Sequence, residues 1–574
     1  MKYKISIKNP LSHFIDFELL IDKKNQQYIK LQLPAWRPGR YELQNFAKNI
    51  RGFSAFGADG SPLKFQKITK DKWKILCEGQ EQIKVKYQYF ANQMDAGGSW
   101  LDDEQLYINW VNCAFFIPGE EDKTYQMELN LPTNYEIASS LTQPKKNLLL
   151  AKNYFELFDS PLIASANLQH NFYEYNGIKF HIWIQGNWTP DWDVILNDFK
   201  KFTHSQFEIF GNLPTTDYHF LFQILPYRHY HGVEHANSTV ITLGPSEMLQ
   251  AKLSNDLYLD FLGVSSHELF HAWNVCRIRP KEMQQYDYSQ ENYFDTGYVA
   301  EGITTYYGDL MLKRSGVFTQ ELYLKELNKL LKRHFENYGR LNLSLADSSF
   351  DLWLDGYSKG IPDRKVSIYI KGALVALMLD LTLRINSNHQ KSLDDVMALL
   401  WEKFGSNGKG YATDDILQTV NQVSQQNFSS FFQDYIYDVV QIEENLLKLL
   451  VEFGLTLQTE TNDSPLAGFF GIKCNTINGK IFISQIAPES PAEGKLFLND
   501  EIIAIDYKKA VEENIDLICA GKNTLVVSVF RNNVLQTIGL EKKQNTTYFK
   551  KYLIKPNEKS TSDQLENLKK WMGR

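Results

Sequence analysis

Residues 264–274 read Val264-Ser265-Ser266-His267-Glu268-Leu269-Phe270-His271-Ala272-Trp273-Asn274, with two histidines four positions apart. On a helix that spacing puts both imidazoles on one face, where they can share a metal ion. Glu268 sits beside the first histidine, close enough to a water on that metal to take its proton. The preceding LYLDFLGVS is apolar and free of proline, so a helix is expected here. A chance match on a buried helix is the plain alternative. Two histidines leave a catalytic metal one donor short, because such sites use three protein ligands and keep one position open. The segment Gly297-Tyr298-Val299-Ala300-Glu301-Gly302-Ile303-Thr304 supplies Glu301, early on a second amphipathic run that reaches Leu310 and Met311. A glutamate complementing a helix dipole is the competing reading of that position.

HELFHAWN, then RIRP from Arg277 to Pro280, then AEGITTYYGDL resembles the gluzincin metallopeptidases, specifically the glycyl aminopeptidase family with its C-terminal PDZ domain. The resemblance extends over nearly the whole chain. LPAWRPGRYELQNFAKN, from Leu33 to Asn49, looks like that family's N-terminal signature. His231-Gly232-Val233-Glu234-His235 looks like its G-G-L-E-H motif, and Tyr369-Ile370-Lys371-Gly372 like its Y-x-K-G segment. The chain departs from the pattern at His231, where the family has glycine, and around Gly297-Tyr298, where a Leu-Trp pair is usual.

The resemblance implies one zinc per chain, held by His267, His271 and Glu301, with Glu268 as general base. It implies that Glu234 binds the α-ammonium of a peptide, with Gly232 and His235 beside it, and that Tyr369 steadies the oxyanion. Preference for a small first residue, glycine or alanine, follows from the same likeness. Taken alone, Glu234 could be a solvated strand carboxylate and Tyr369 a core tyrosine. Two rival functions stay open: a zinc endopeptidase whose PDZ domain selects substrates, and a catalytically silent PDZ scaffold.

At 574 residues the chain exceeds a single core, so three or four domains are expected. A net charge of −7 offers no basic stripe for nucleic acid. The start has no signal-peptide core, and the longest apolar run, ALVALMLDLTL, is interrupted by Asp380, so no membrane span and a cytoplasmic location are expected. Five scattered cysteines without C-x-x-C spacing argue against a disulfide framework, and Cys276 is read as packing.

The expected fold class is α+β multidomain. Residues 1–165 alternate short β-rich runs with turns and read as an antiparallel β-sandwich. Residues 166–453 begin with strands and become helical, with Thr319, Ser392 and Thr413 as candidate N-caps, fitting a thermolysin-like catalytic domain. The strand after Gly232 is expected at the sheet edge beside the cleft. Residues 454–545 have the strand order of a PDZ domain, with backbone amides near Gly468 to Gly471 able to receive a peptide C-terminus, or an extended segment by strand addition. Residues 546–574 read as a docking tail. All proposed catalytic groups precede residue 454, so its removal with everything after it is expected to spare short-peptide hydrolysis, provided the truncated protein folds.

Overall fold

The computed structural model describes residues 1–22, 26–358 and 360–573. The N-terminal unit is built on a seven-stranded sheet whose strands alternate as the sequence does. In Phe14–Asp22 the residues Ile15, Phe17, Leu19 and Ile21 turn inward and their neighbours outward. The sheet is not wholly antiparallel: Lys2–Ser6 runs parallel to Tyr125–Asn130, Lys2 opposite Gln126. Period-two patterning reports which face is buried and nothing about strand direction, and this pair closes over a long excursion of chain. The core of this unit is not private. Met283, Tyr288, Phe294 and Leu352, from the later part of the chain, pack into it.

A second sheet has five strands in the order Gln169–Tyr175, Ile178–Gln185, Asp217–Ile224, Ser238–Gly244, His229–Glu234. The helix Trp192–Phe210 crosses over between two parallel strands of this sheet. The edge strand is His229–Glu234 itself, and the strand after it, expected at the edge, lies inside. Burial explains the order: Ser238–Gly244 is buried at every residue, whereas His229–Glu234 is half open.

Helix α1 (Asp256–His271) starts at Asn255, whose side chain accepts from the Tyr258 amide at 2.9 Å. Helix α2 (Thr304–Arg314) packs beside it, so close that a methyl on Gly308 would stand 3.2 Å from His267 Cβ. Helix α3 (Ile370–Asn386) crosses the turn before α2 at Gly302 and Gly372, where a Cβ on Gly302 would meet Gly372 Cα at 2.6 Å. These glycines bring Tyr369, just before α3, down to the site. Thr319 and Ser392 cap their helices; the third cap is Ala412, and Thr413 is already helical, its hydroxyl donating to Asp295 at 2.5 Å.

Two strands, Leu455–Glu460 and Lys551–Pro556, pair antiparallel and carry a separate β unit between them. That unit, residues 465–541, has its own six-stranded sheet and core around Leu466, Phe470, Ile483 and Val527. The amides expected to receive a carboxylate are spent. Pro465–Phe470 is a helix, the Gly468 amide donates to Ser464 O at 2.8 Å, and the Gly471 amide to Ala467 O at 3.2 Å.

Helix α4 (Ser562–Met572) is no peripheral tail. Leu568, Trp571 and Met572 are buried in the same core as α1 to α3. Trp571 Nε1 donates to the Tyr306 hydroxyl at 2.9 Å, which donates to the buried Asp380 carboxylate at 2.6 Å. Arg384 pairs with the same carboxylate at 3.1 Å. Cutting the chain at 454 would therefore open the helical core, so the condition that the truncated protein folds is not met by the packing seen here. Among the described residues no helix is long and apolar enough to cross a membrane.

Candidate metal centre and catalytic cleft

His267 and His271, one helical turn apart on α1, bring their Nε2 atoms to 3.0 Å. Glu301 Oε2 lies 3.3 Å from His271 Nε2 and 3.8 Å from His267 Nε2. Four donors around one zinc at about 2.0–2.1 Å stand roughly 3.3 Å apart, so the three groups fit a single ion. Glu301 reaches this position from one wide turn, Tyr298–Ile303, which continues into α2. His271 is oriented from behind, its Nδ1 2.7 Å from Asn274 O, which leaves Nε2 free for a metal. Asn274 also ties α1 to the glutamate turn: its side-chain nitrogen donates to Val299 O at 2.8 Å and to Thr304 Oγ1 at 3.1 Å.

Glu268 lies against the edge strand, where a Cβ on Gly232 would come within 2.1 Å of its Oε1. Only glycine leaves that room. Glu268 is buried, its Oε2 has no hydrogen-bond partner among the described residues, and burial lifts its carboxyl well above the ordinary range. Glu234 is on the same edge strand; Glu234, Glu268 and His271 place donor atoms within 4.8 Å of one another. Burial also raises the Glu234 carboxyl, against the opposing pull of His271. Against Glu234 stands Gly39, at φ +74°, where a side chain would collide with the carboxylate at 2.6 Å. Tyr369 is within electrostatic reach of Glu301, and burial pushes its phenol well above the usual value.

Two stretches of this chain match known families: residues 2–166 match the peptidase M61 N-terminal domain, and residues 260–375 match M61 glycyl aminopeptidase. The second stretch contains His267, Glu268, His271, Glu301 and Tyr369. The whole chain is similar to the crystal structure of an aminopeptidase N family protein from Idiomarina loihiensis, with a TM-score of 0.92 over 100% of both chains at 28% identity. The chain is a metallopeptidase. Other similar structures are an M1 zinc metallopeptidase from Deinococcus radiodurans bound to a Tyr-Ser-Ala substrate (TM-score 0.47, 14% identity, 77% of this chain and 93% of that one) and native yeast LTA4 hydrolase (0.46, 13%, 76% and 67%). No curated protein matches the sequence.

The peptidase site draws on more of the chain than its motifs. Arg37, buried in the N-terminal unit, lies within electrostatic reach of Glu268 and Asp95. Burial pushes the Asp95 carboxyl up, but a hydrogen bond from Gln93 and the Arg37 charge bring it below its ordinary value. Asp95 also faces His231 at 3.9 Å, and burial lowers that imidazole to about 4, so it is neutral at pH 7. Tyr357, against Tyr369, sends its hydroxyl toward Gly39 O at 3.4 Å. Neither Arg37 nor Tyr357 carried a functional signal in the sequence. Arg37 lay inside the N-terminal signature without a role, and Tyr357 sits in an unpatterned loop. His235 Nδ1 is 3.0 Å from Asp159, while its Nε2 has no hydrogen-bond partner among the described residues.

Proposed function

We propose that this peptidase is a zinc-dependent aminopeptidase that removes the first residue of peptides. The observation that carries this reading is a charge count. Glu234, Glu268 and Glu301 are three buried carboxylates in two groups that share His271, and the Arg37–Asp95 pair beside them is neutral in sum. Uncompensated buried charge is strongly disfavoured. A divalent ion on His267, His271 and Glu301 and one α-ammonium on Glu234 bring the site to neutrality. No side chain among the described residues hydrogen-bonds the Glu234 carboxylate, which leaves it for a cation that arrives with the substrate.

When bound, zinc supplies Lewis acidity, polarising a carbonyl and lowering the pKa of water to about 7. Glu268 takes the proton of the attacking water and passes it to the leaving amine, a task its raised carboxyl suits. Glu234 fixes the ammonium so that only the first peptide bond reaches the metal side. Tyr369 donates a hydrogen bond to the carbonyl oxygen as charge builds there. Gly232 and His235 flank this subsite, and the family likeness favours glycine or alanine as the first residue. One zinc per chain, the domain division 1–165, 166–453, 454–545 and 546–574, and a PDZ-type identity for the C-terminal β unit belong to the same reading.

The test compares matched peptides with free and acetylated N-termini. Free peptides are expected to be cut at least about a hundredfold faster, since an unpaired buried carboxylate costs roughly 3 kcal/mol. Glu234→Ala should raise KM for free peptides and narrow the gap. Internal cleavage of acetylated peptides at the native rate would overturn the reading in favour of an endopeptidase. Tyr369→Phe should lower kcat about a hundredfold with KM and metal content unchanged, because its bond strengthens only in the transition state. Unchanged kcat would leave Tyr357 as the donor to examine next.

A further inference from the structure

A cleft of about 1070 Å³ lies between the catalytic body and the C-terminal β unit. One wall carries Leu352, Tyr357, Ile361 and Tyr369; the other carries Gln485 and Phe497. Resting on the aminopeptidase reading above, we infer that this cleft receives the residues of a peptide substrate that follow the cleaved bond.

Continuity with the site is the first argument. Tyr357 and Tyr369 line the cleft and also stand within electrostatic reach of Glu301, so the cleft ends beside the candidate site. With the ammonium held at Glu234, the rest of an extended chain has to leave the site, and this is a passage of sufficient size. Pockets that bury a drug-sized ligand measure about 300–1,000 Å³, so a few peptide residues fit.

Chemistry is the second argument. The cations of the lining are paired, Arg364 with Asp355 at 3.0 Å and with Asp351, and Lys365 with Asp355 at 3.4 Å, while the other charged lining residues, Asp363 and Glu493, are acidic. Paired charge offers little to a phosphate or a free carboxylate. The neutral groups that remain, Ser367, Asn475, Ser484, Gln485 and Asn499, match the donors and acceptors of a peptide backbone. Ile361 (72% exposed) and Phe497 (56% exposed), on opposite walls, give apolar surface for substrate side chains.

Rigidity is the third. The β unit is held to the body by the Lys473–Glu336 ion pair at 2.8 Å. Its flanking strand is held through Asn328, which accepts from the Ile554 amide at 2.7 Å and donates to Ile554 O at 3.1 Å. The second wall is thereby already in place before a peptide arrives.

The experiment measures kcat/KM of the full-length, zinc-loaded enzyme on free alanine-rich peptides of two to six residues with leucine at the third or fourth position. Native enzyme should gain about tenfold or more from the dipeptide to the tetrapeptide, the scale of burying one apolar side chain. Ile361→Ser and Phe497→Ser, separately and together, should remove most of that gain while leaving the dipeptide rate within about twofold. The dipeptide rate reports that each variant is folded. A flat length profile in the native enzyme, a native length profile in the double variant, or an equal loss on dipeptide and tetrapeptide would each overturn the inference. Failure of the aminopeptidase reading shows elsewhere, as native enzyme that cuts acetylated and free peptides alike.

Discussion

Glu268→Gln is expected to leave one zinc per chain and to lower kcat by about a thousandfold or more. Glu301→Ala and His271→Ala should instead lose the metal. The two outcomes separate because the groups do different work at nearly the same place. Glu301 and His271 bring their donor atoms to 3.3 Å, the spacing of two ligands on one ion. Glu268 presents an unpartnered Oε2 beside them. Glutamine keeps the size of glutamate and the clearance over Gly232, but it cannot accept a proton, and positioned general bases contribute about 10²–10⁴-fold. Metal analysis of dialysed protein and steady-state kinetics on one free peptide decide the matter. Full zinc occupancy in Glu301→Ala would remove Glu301 from the ligand set, and native turnover in Glu268→Gln would move the base elsewhere.

Trp571→Ala is expected to destabilise the protein by about 3–5 kcal/mol, although it lies far from the metal in sequence. Trp571 is fully buried, and truncating a buried tryptophan to alanine removes both transfer energy and packing. It also removes the donor to the Tyr306 hydroxyl, one member of the network that satisfies Asp380. Against a typical total of 5–15 kcal/mol this is a large fraction. The measurement is urea unfolding followed by fluorescence and by activity, where the midpoint should fall for both probes together. A loss below about 1 kcal/mol would mean that α4 only rests on the core. Deletion of 561–574 should do more damage than the single substitution.

The grouping of the candidate ligands was legible from the sequence because it is local. A helix fixes the relation of His267, Glu268 and His271, and Glu301 opens the next helix, so spacing alone predicts a shared face. Glu234 and Tyr369 needed the family likeness, since an isolated glutamate in a strand or tyrosine before a helix has common bland explanations. What could not be read was anything that depends on distant segments meeting. The parallel pairing of Lys2–Ser6, the edge position of His229–Glu234, and the contribution of Arg37 and Gly39 to the cleft are set by tertiary contacts with no periodic trace. The amides near Gly468 were misjudged for a local reason: Pro465 after Ser464 starts a helix, and a helix consumes the amides a ligand would need.

The placement of α4 also sets an order of events during synthesis. Tyr306 and Trp571, which hydrogen-bond in the finished core, are separated by 265 residues of chain. At ordinary translation rates of about 5–20 residues per second, the ribosome needs roughly 13 to 50 seconds to travel from one to the other. Over that interval α1 to α3 are completed but their core lacks its closing element. The element that closes this core is made only after the whole intervening β unit, so α1 to α3 must wait for it before their packing is complete.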